Sequence, residues 1–157
     1  MNIHNCHIHT FTADHVPSRF LPLRIQGALR SGVFRRPLLW LIRASNPFKG
    51  RDALERLANF VKISSRKTQR EIFDHVRHYY PPETRFVILP MDMEFMSAGK
   101  PRKSVAEQHD ELARLRDEFP DAIIPFVAAD PRRNDMLGFA KRYVERHDFK
   151  GIKIYPP

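Results

Sequence analysis

The chain of 157 residues holds a single cysteine, Cys6. An internal disulfide is therefore impossible, and a reducing, cytoplasmic location is expected. No apolar run approaches the roughly 20 residues of a membrane-spanning helix. The opening residues lack the basic stretch and apolar core of a secretory signal. No internal repeat points to a solenoid. Acidic residues are nearly missing from one long stretch: between Arg19 and Arg70 only Asp52 and Glu55 offset a series of arginines and lysines. Much of the formal net charge of +9 is concentrated there. Such a field favours an anionic partner, or it is a solvated face. No nucleic-acid motif accompanies it, and its aromatic residues are not interleaved with the charges in the way a stacking surface requires.

What is present suits one globular domain. A hydrophobic fraction of 42% and a charged fraction of 29% separate the chain from disordered sequences, and its length supports a real core. The segment after residue 11 is punctuated by Pro17, Pro22, Gly27, Gly32, Pro37 and Pro47, so a long irregular excursion with short helices is expected. Its most apolar part, Pro37 to Arg43, reads as a helix packed on the body, with Trp40 as a packing residue.

Regular patterning follows. Asp52–Glu55, Thr68–Glu71 and Ser104–Glu107 each have the spacing of a capping box, and Asn134 or Asp135 caps a further helix. Phe86–Leu89, Ala122–Val127 and Gly151–Tyr155 read as buried strands, although Pro125 weakens the second. Strands alternating with amphipathic helices predict a parallel α/β sheet. The expected division is a first strand within 1–11, a basic helical excursion over 12–84, and the second to fourth strands with their helices over 85–157.

The chemistry is concentrated at the start. In Ile3-His4-Asn5-Cys6-His7-Ile8-His9-Thr10, residues two apart share a face of a strand. His7 and His9 thus stand side by side, with Cys6 and Ile8 turned to an apolar side. Two neutral imidazoles so placed are able to grip one divalent metal, at about 2.0–2.1 Å from nitrogen to zinc. A plain polar strand face is the alternative. His4 has the opposite parity and reads as structural, Cys6 as a small core residue, and His15 as a surface residue of the excursion. Asp92 and Asp130 follow strands, where side chains reach a site mouth or simply cap turns. Gly151, Lys153 and Tyr155 share one strand face, with Ile152 and Ile154 on the other. Lys153 as an ammonium has no lone pair for a cation, so unmodified it would hold an anionic substrate group.

The run Asn5-Cys6-His7-Ile8-His9-Thr10-Phe11 resembles the first-strand metal motif of the amidohydrolase superfamily, usually Asp-x-His-x-His. Asn5 stands where that family has aspartate. Val87–Asp92, Phe126–Arg132 and Phe149–Pro157 look like its second, third and fourth strands. The resemblance implies the N-terminal half of a TIM (β/α)8 barrel, four parallel strands with a helical insertion after the first. It implies a metal-dependent hydrolase or decarboxylase acting on a small, anionic substrate through metal-activated water. The metal would be zinc, with manganese as the alternative, held by His7 and His9. Lys153 joins them if carbamylated; otherwise Lys153 and Asp92 are candidate substrate-binding residues. Further ligands and the general base would come from strands beyond Pro157, so the chain is expected to be inactive without a C-terminal half or a homo-oligomer partner. TatD-like or PHP-type phosphoesterases, which also open on a His-x-His strand, and a non-enzymatic basic binding module are the competing readings.

Overall fold

The computed structural model describes residues 3–20 and 65–154, with single positions 37, 40, 55, 56, 59, 62 and 63 between them. The helices expected at 37–43 and after Asp52 lie outside the described residues, apart from those positions. Trp40 is among them and is 70% exposed, so it is not the packing residue expected.

Four strands form one parallel sheet in the order β1 (His4–Ile8), β2 (Arg85–Ile88), β3 (Ile123–Ala128), β4 (Gly151–Lys153). Helix α1 (Gln69–Arg77) precedes β2, α2 (Val105–Glu118) lies between β2 and β3, and α3 (Met136–His147) lies between β3 and β4. A short 3-10 turn, Ala13–His15, follows β1.

The helix starts follow the caps read from sequence, with one difference. Ser104 and Glu107 close a full capping box on α2. At α1 the Thr68 hydroxyl accepts the Glu71 N–H at 3.1 Å, but the Glu71 carboxylate accepts from Lys67 N–H, one residue further out. Asp135 caps α3 by accepting the Gly138 N–H at 3.3 Å. Asp148, in the left-handed region at φ 55°, ends that helix.

All three helices pack on one face of the sheet. Phe73 of α1, Leu112 and Leu115 of α2, and Ala140 and Tyr143 of α3 share one core with Ile8, Phe86, Ile88, Ile123 and Val127. Among the described residues no helix covers the second face, so β2 is not buried on both sides as its apolar run suggests: Val87 is half-buried and Arg85 exposed. Sequential parallel order with the described helices on a single side is compatible with part of a barrel; a doubly wound sheet reverses its order and covers both faces.

Pro125 is tolerated inside β3 for a definite reason. The pairing with β2 ends at Ile88↔Pro125, and the pairing with β4 begins one residue later at Phe126↔Gly151. The Pro125 carbonyl accepts the Lys150 N–H at 2.8 Å. Its missing N–H therefore falls on the β4 side, below the first residue of that strand, where no donor is required.

Gly151 supplies a close approach. A Cβ there would meet three atoms of the Phe126 ring at 2.5–2.9 Å. Gly151→Ala is expected to lower stability by about 1–3 kcal/mol through overpacking. The measurement is a fall in the urea midpoint at unchanged slope; an unchanged midpoint would show that the ring swings aside freely.

Candidate functional site

The open face is defined by register. Phe86 and Ile88 are buried under the helices, so their neighbour Val87 points the other way, together with its partner Ile124. Val127 likewise faces the helices, which leaves Phe126, Ala128 and their partners Gly151 and Lys153 on the open side. Lys153 thus occupies the face its spacing predicts. Ile152, paired with the fully buried Val127, shares the packed face, yet it is 48% exposed because no described helix covers β4 there.

His7 and His9 converge. Their Nε2 atoms stand 3.1 Å apart, with the rings edge to face at 4.8 Å between centroids. Two ligands at bonding distance from one tetrahedral zinc would be separated by about 3.3–3.4 Å. His9 Nδ1 is 2.6 Å from the Leu89 carbonyl at the end of β2. A carbonyl only accepts, so Nδ1 carries the hydrogen and Nε2 carries a lone pair aimed at His7. Fixing the far nitrogen in this way is how proteins orient a ligating imidazole. Burial holds the His9 pKa below its ordinary value against the pull of the Leu89 bond, and the charges of Lys153 and His7 push it the same way as burial. A neutral His9 is the form that binds metal. Lys153 stands at the opposite margin of the sheet, on β4. Among the described residues, no group of three or more histidines, cysteines or carboxylates is placed to hold a metal ion.

Other residues sit differently from their sequence reading. Cys6 is exposed. The register of β1 explains this: Asn5 pairs with Phe86 and Ile8 with Ile88, so Cys6 and His7 together oppose Val87 in a β-bulge. The bulge breaks simple alternation, and Cys6 does not share the apolar side with Ile8. It also returns His4, paired with the exposed Arg85, to the same face as His7 and His9.

His15 is buried, where a surface position was expected. Its Nδ1 accepts the Thr12 N–H at 3.0 Å, and its Nε2 faces the Glu111 carboxylate at 3.6 Å. Burial depresses its pKa, opposed by Glu111. The same carboxylate group accepts from Gln69 N–H and Lys103, while Gln69 accepts from the Thr10 hydroxyl at 2.6 Å. This buried network ties the turn after β1 to α1 and α2.

Asp92 follows β2 and is occupied. Its side chain is 3% exposed, and both its oxygens accept from Arg133 at 2.9–3.0 Å. Arg133 also donates to Glu94 at 3.0 Å and lies between the Phe95 and Phe139 rings. Burial raises the Asp92 pKa, and the Arg133 bonds hold that rise back. Asp130 is engaged by its neighbour Arg132, whose hydrogen bonds lower its pKa.

No family model, curated protein or solved structure matches this chain. The functional reading therefore rests on the site itself. Sequence reasoning missed the Arg133–Asp92 clamp and the role of the Leu89 carbonyl, because neither has a local signature. No described helix is long and apolar enough to cross a membrane.

Proposed function

We propose that the chain contributes four consecutive strands, with the helices between them, to a (β/α)8 barrel of amidohydrolase type, with His7 and His9 contributing to a divalent metal site. The observation that carries this reading is the pair of Nε2 atoms 3.1 Å apart, with the His9 tautomer set by Leu89. Zinc suits two imidazoles best, and manganese is the alternative. When bound, such an ion supplies Lewis acidity and a water acidic enough to ionise near neutral pH. The residues of this chain orient that site: Leu89 directs the His9 ring, and Lys153 places a positive charge on the same open face. That charge favours a small anionic substrate for hydrolysis or decarboxylation. Asp92, clamped by Arg133, shapes the end of β2 and does not serve as a free substrate ligand in this reading. His7 and His9, with water completing the shell, would hold zinc on their own, and the resemblance draws the third protein ligand usual in catalytic zinc sites, with the general base, from later strands of the barrel.

Titration calorimetry with Zn2+ alone tests the proposal. The chain is expected to take up the ion, and His7→Ala and His9→Ala are each expected to abolish uptake. Uptake that survives in the double variant, or none in the unsubstituted chain, would overturn it.

A further inference from the structure

The two histidines reach the open face only because β1 carries one extra residue. Asn5 lies on the packed side, in register with the buried Phe86, and Ile8 lies on that same side, in register with Ile88. They are three positions apart, an odd spacing that an unbroken strand would put on opposite faces. Continued alternation from Asn5 would bury His7 and His9 against the helices and turn Ile8 to the open side. The bulge at Cys6 and His7 reverses this. It places both imidazoles opposite the core and keeps Ile8 within it.

A bulge leaves a backbone group outside the ladder, and that group needs a partner. Here the Asn5 side-chain carbonyl accepts the His7 N–H at 3.1 Å. The bond spans two residues, the short reach typical of asparagine side chains at turns. It therefore closes the bulge at the residue whose ring must be turned.

We propose that Asn5 is the positioning residue of the histidine pair: its side chain latches the Cys6–His7 bulge and so sets which face His7 and His9 occupy. The metal part of this statement rests on the function proposed above; the geometric part does not. Asn5 itself is not a ligand and touches neither reacting group. Asparagine serves here through its acceptor oxygen, and aspartate at the same position keeps that acceptor.

The test compares Asn5→Ala with Asn5→Asp, using NMR of the His7 amide and of the two imidazoles, and calorimetry with Zn2+ alone. Far-UV circular dichroism and the urea midpoint confirm that each variant is folded. In Asn5→Ala the His7 amide resonance is expected to shift, and the ring-to-ring cross-peaks between His7 and His9 to disappear. Zn2+ affinity is expected to fall roughly tenfold or more, the usual cost of losing a residue that orients a ligand. Asn5→Asp is expected to retain the cross-peaks and to bind Zn2+ at least as well as the unsubstituted chain. Unchanged cross-peaks in Asn5→Ala, or an equal loss in Asn5→Asp, would overturn the proposal. If the unsubstituted chain takes up no Zn2+, the metal reading fails alone, and the cross-peaks still decide the role of Asn5. If Asn5→Ala does not fold, Asn5→Asp decides: lost cross-peaks overturn the latch, and retained ones support it.

Discussion

Replacing Arg133 with methionine is expected to lower the free energy of unfolding by about 3–5 kcal/mol at pH 7, the cost of stranding a buried charge without its partner. Asp92 is the charge in question: its side chain is nearly inaccessible, and Arg133 contacts both of its oxygens. Glu94 loses a partner as well. Methionine preserves much of the packing between Phe95 and Phe139, so the loss reports the charge more than the volume. The deficit should narrow as pH falls. With Arg133 gone, the folded pKa of Asp92 rises further above its unfolded value, and protonation then relieves the penalty. Lys141→Met provides the contrast. The Lys141–Glu145 pair is exposed on both sides, and its removal should change stability by no more than about 0.5 kcal/mol. Urea midpoints of the two variants at pH 7 and pH 5 check this. Equal effects would mean that the Asp92 clamp carries no more weight than a surface pair.

Acid should weaken the fold well above the pH at which ordinary carboxylates titrate. His109 is buried between α2 and β3, where its Nδ1–H donates to the Val105 carbonyl at 2.7 Å and its Nε2 accepts the Ala128 N–H at 2.9 Å. Both nitrogens are used in the neutral form, and a second ring proton would face a donor. Burial pushes the pKa down to about 4. Because the folded value lies below the unfolded one, the unfolded chain binds more protons in the interval between them. Stability is therefore complete above about pH 6.5 and falls as pH drops toward 4, by about 3 kcal/mol from this residue. His15, also depressed by burial, acts with the same sign. Denaturation at pH 7.5, 6 and 5 measures the slope. His109→Gln, with no titrating ring, should lower stability at pH 7.5 yet flatten the dependence; an unaltered slope would assign it to another group.

Much of the architecture could be read before any coordinates. Capping residues and apolar stripes locate α1, α2 and α3 because helix ends and helix faces are local properties. The parallel sheet follows from buried runs separated by helices. The histidine pair was legible for the same reason, as a spacing within one strand. The bulge was not: it arises from the register between β1 and β2, whose partner residues are 80 positions apart at the His9–Leu89 contact. The reading of Cys6 as a core residue failed at that point. The burial of His15 was equally hidden, since it depends on Glu111 and Gln69 from two later helices. Asp92 looked available because its arginine partner lies 41 residues away.

The sequential strand order, with β1 and β4 at the two margins, carries a mechanical consequence. In a flat four-stranded sheet the first and fourth strands lie about 14 Å apart, with His9 beyond the end of one and Lys153 on the other. A molecule touching both would join the two margins of the sheet, like a clasp. β4 is only three residues long and is paired on one side among the described residues, so its amides should be the first to exchange with heavy water. Occupancy of the site would then register as slowed exchange along β4, at the margin opposite the histidines.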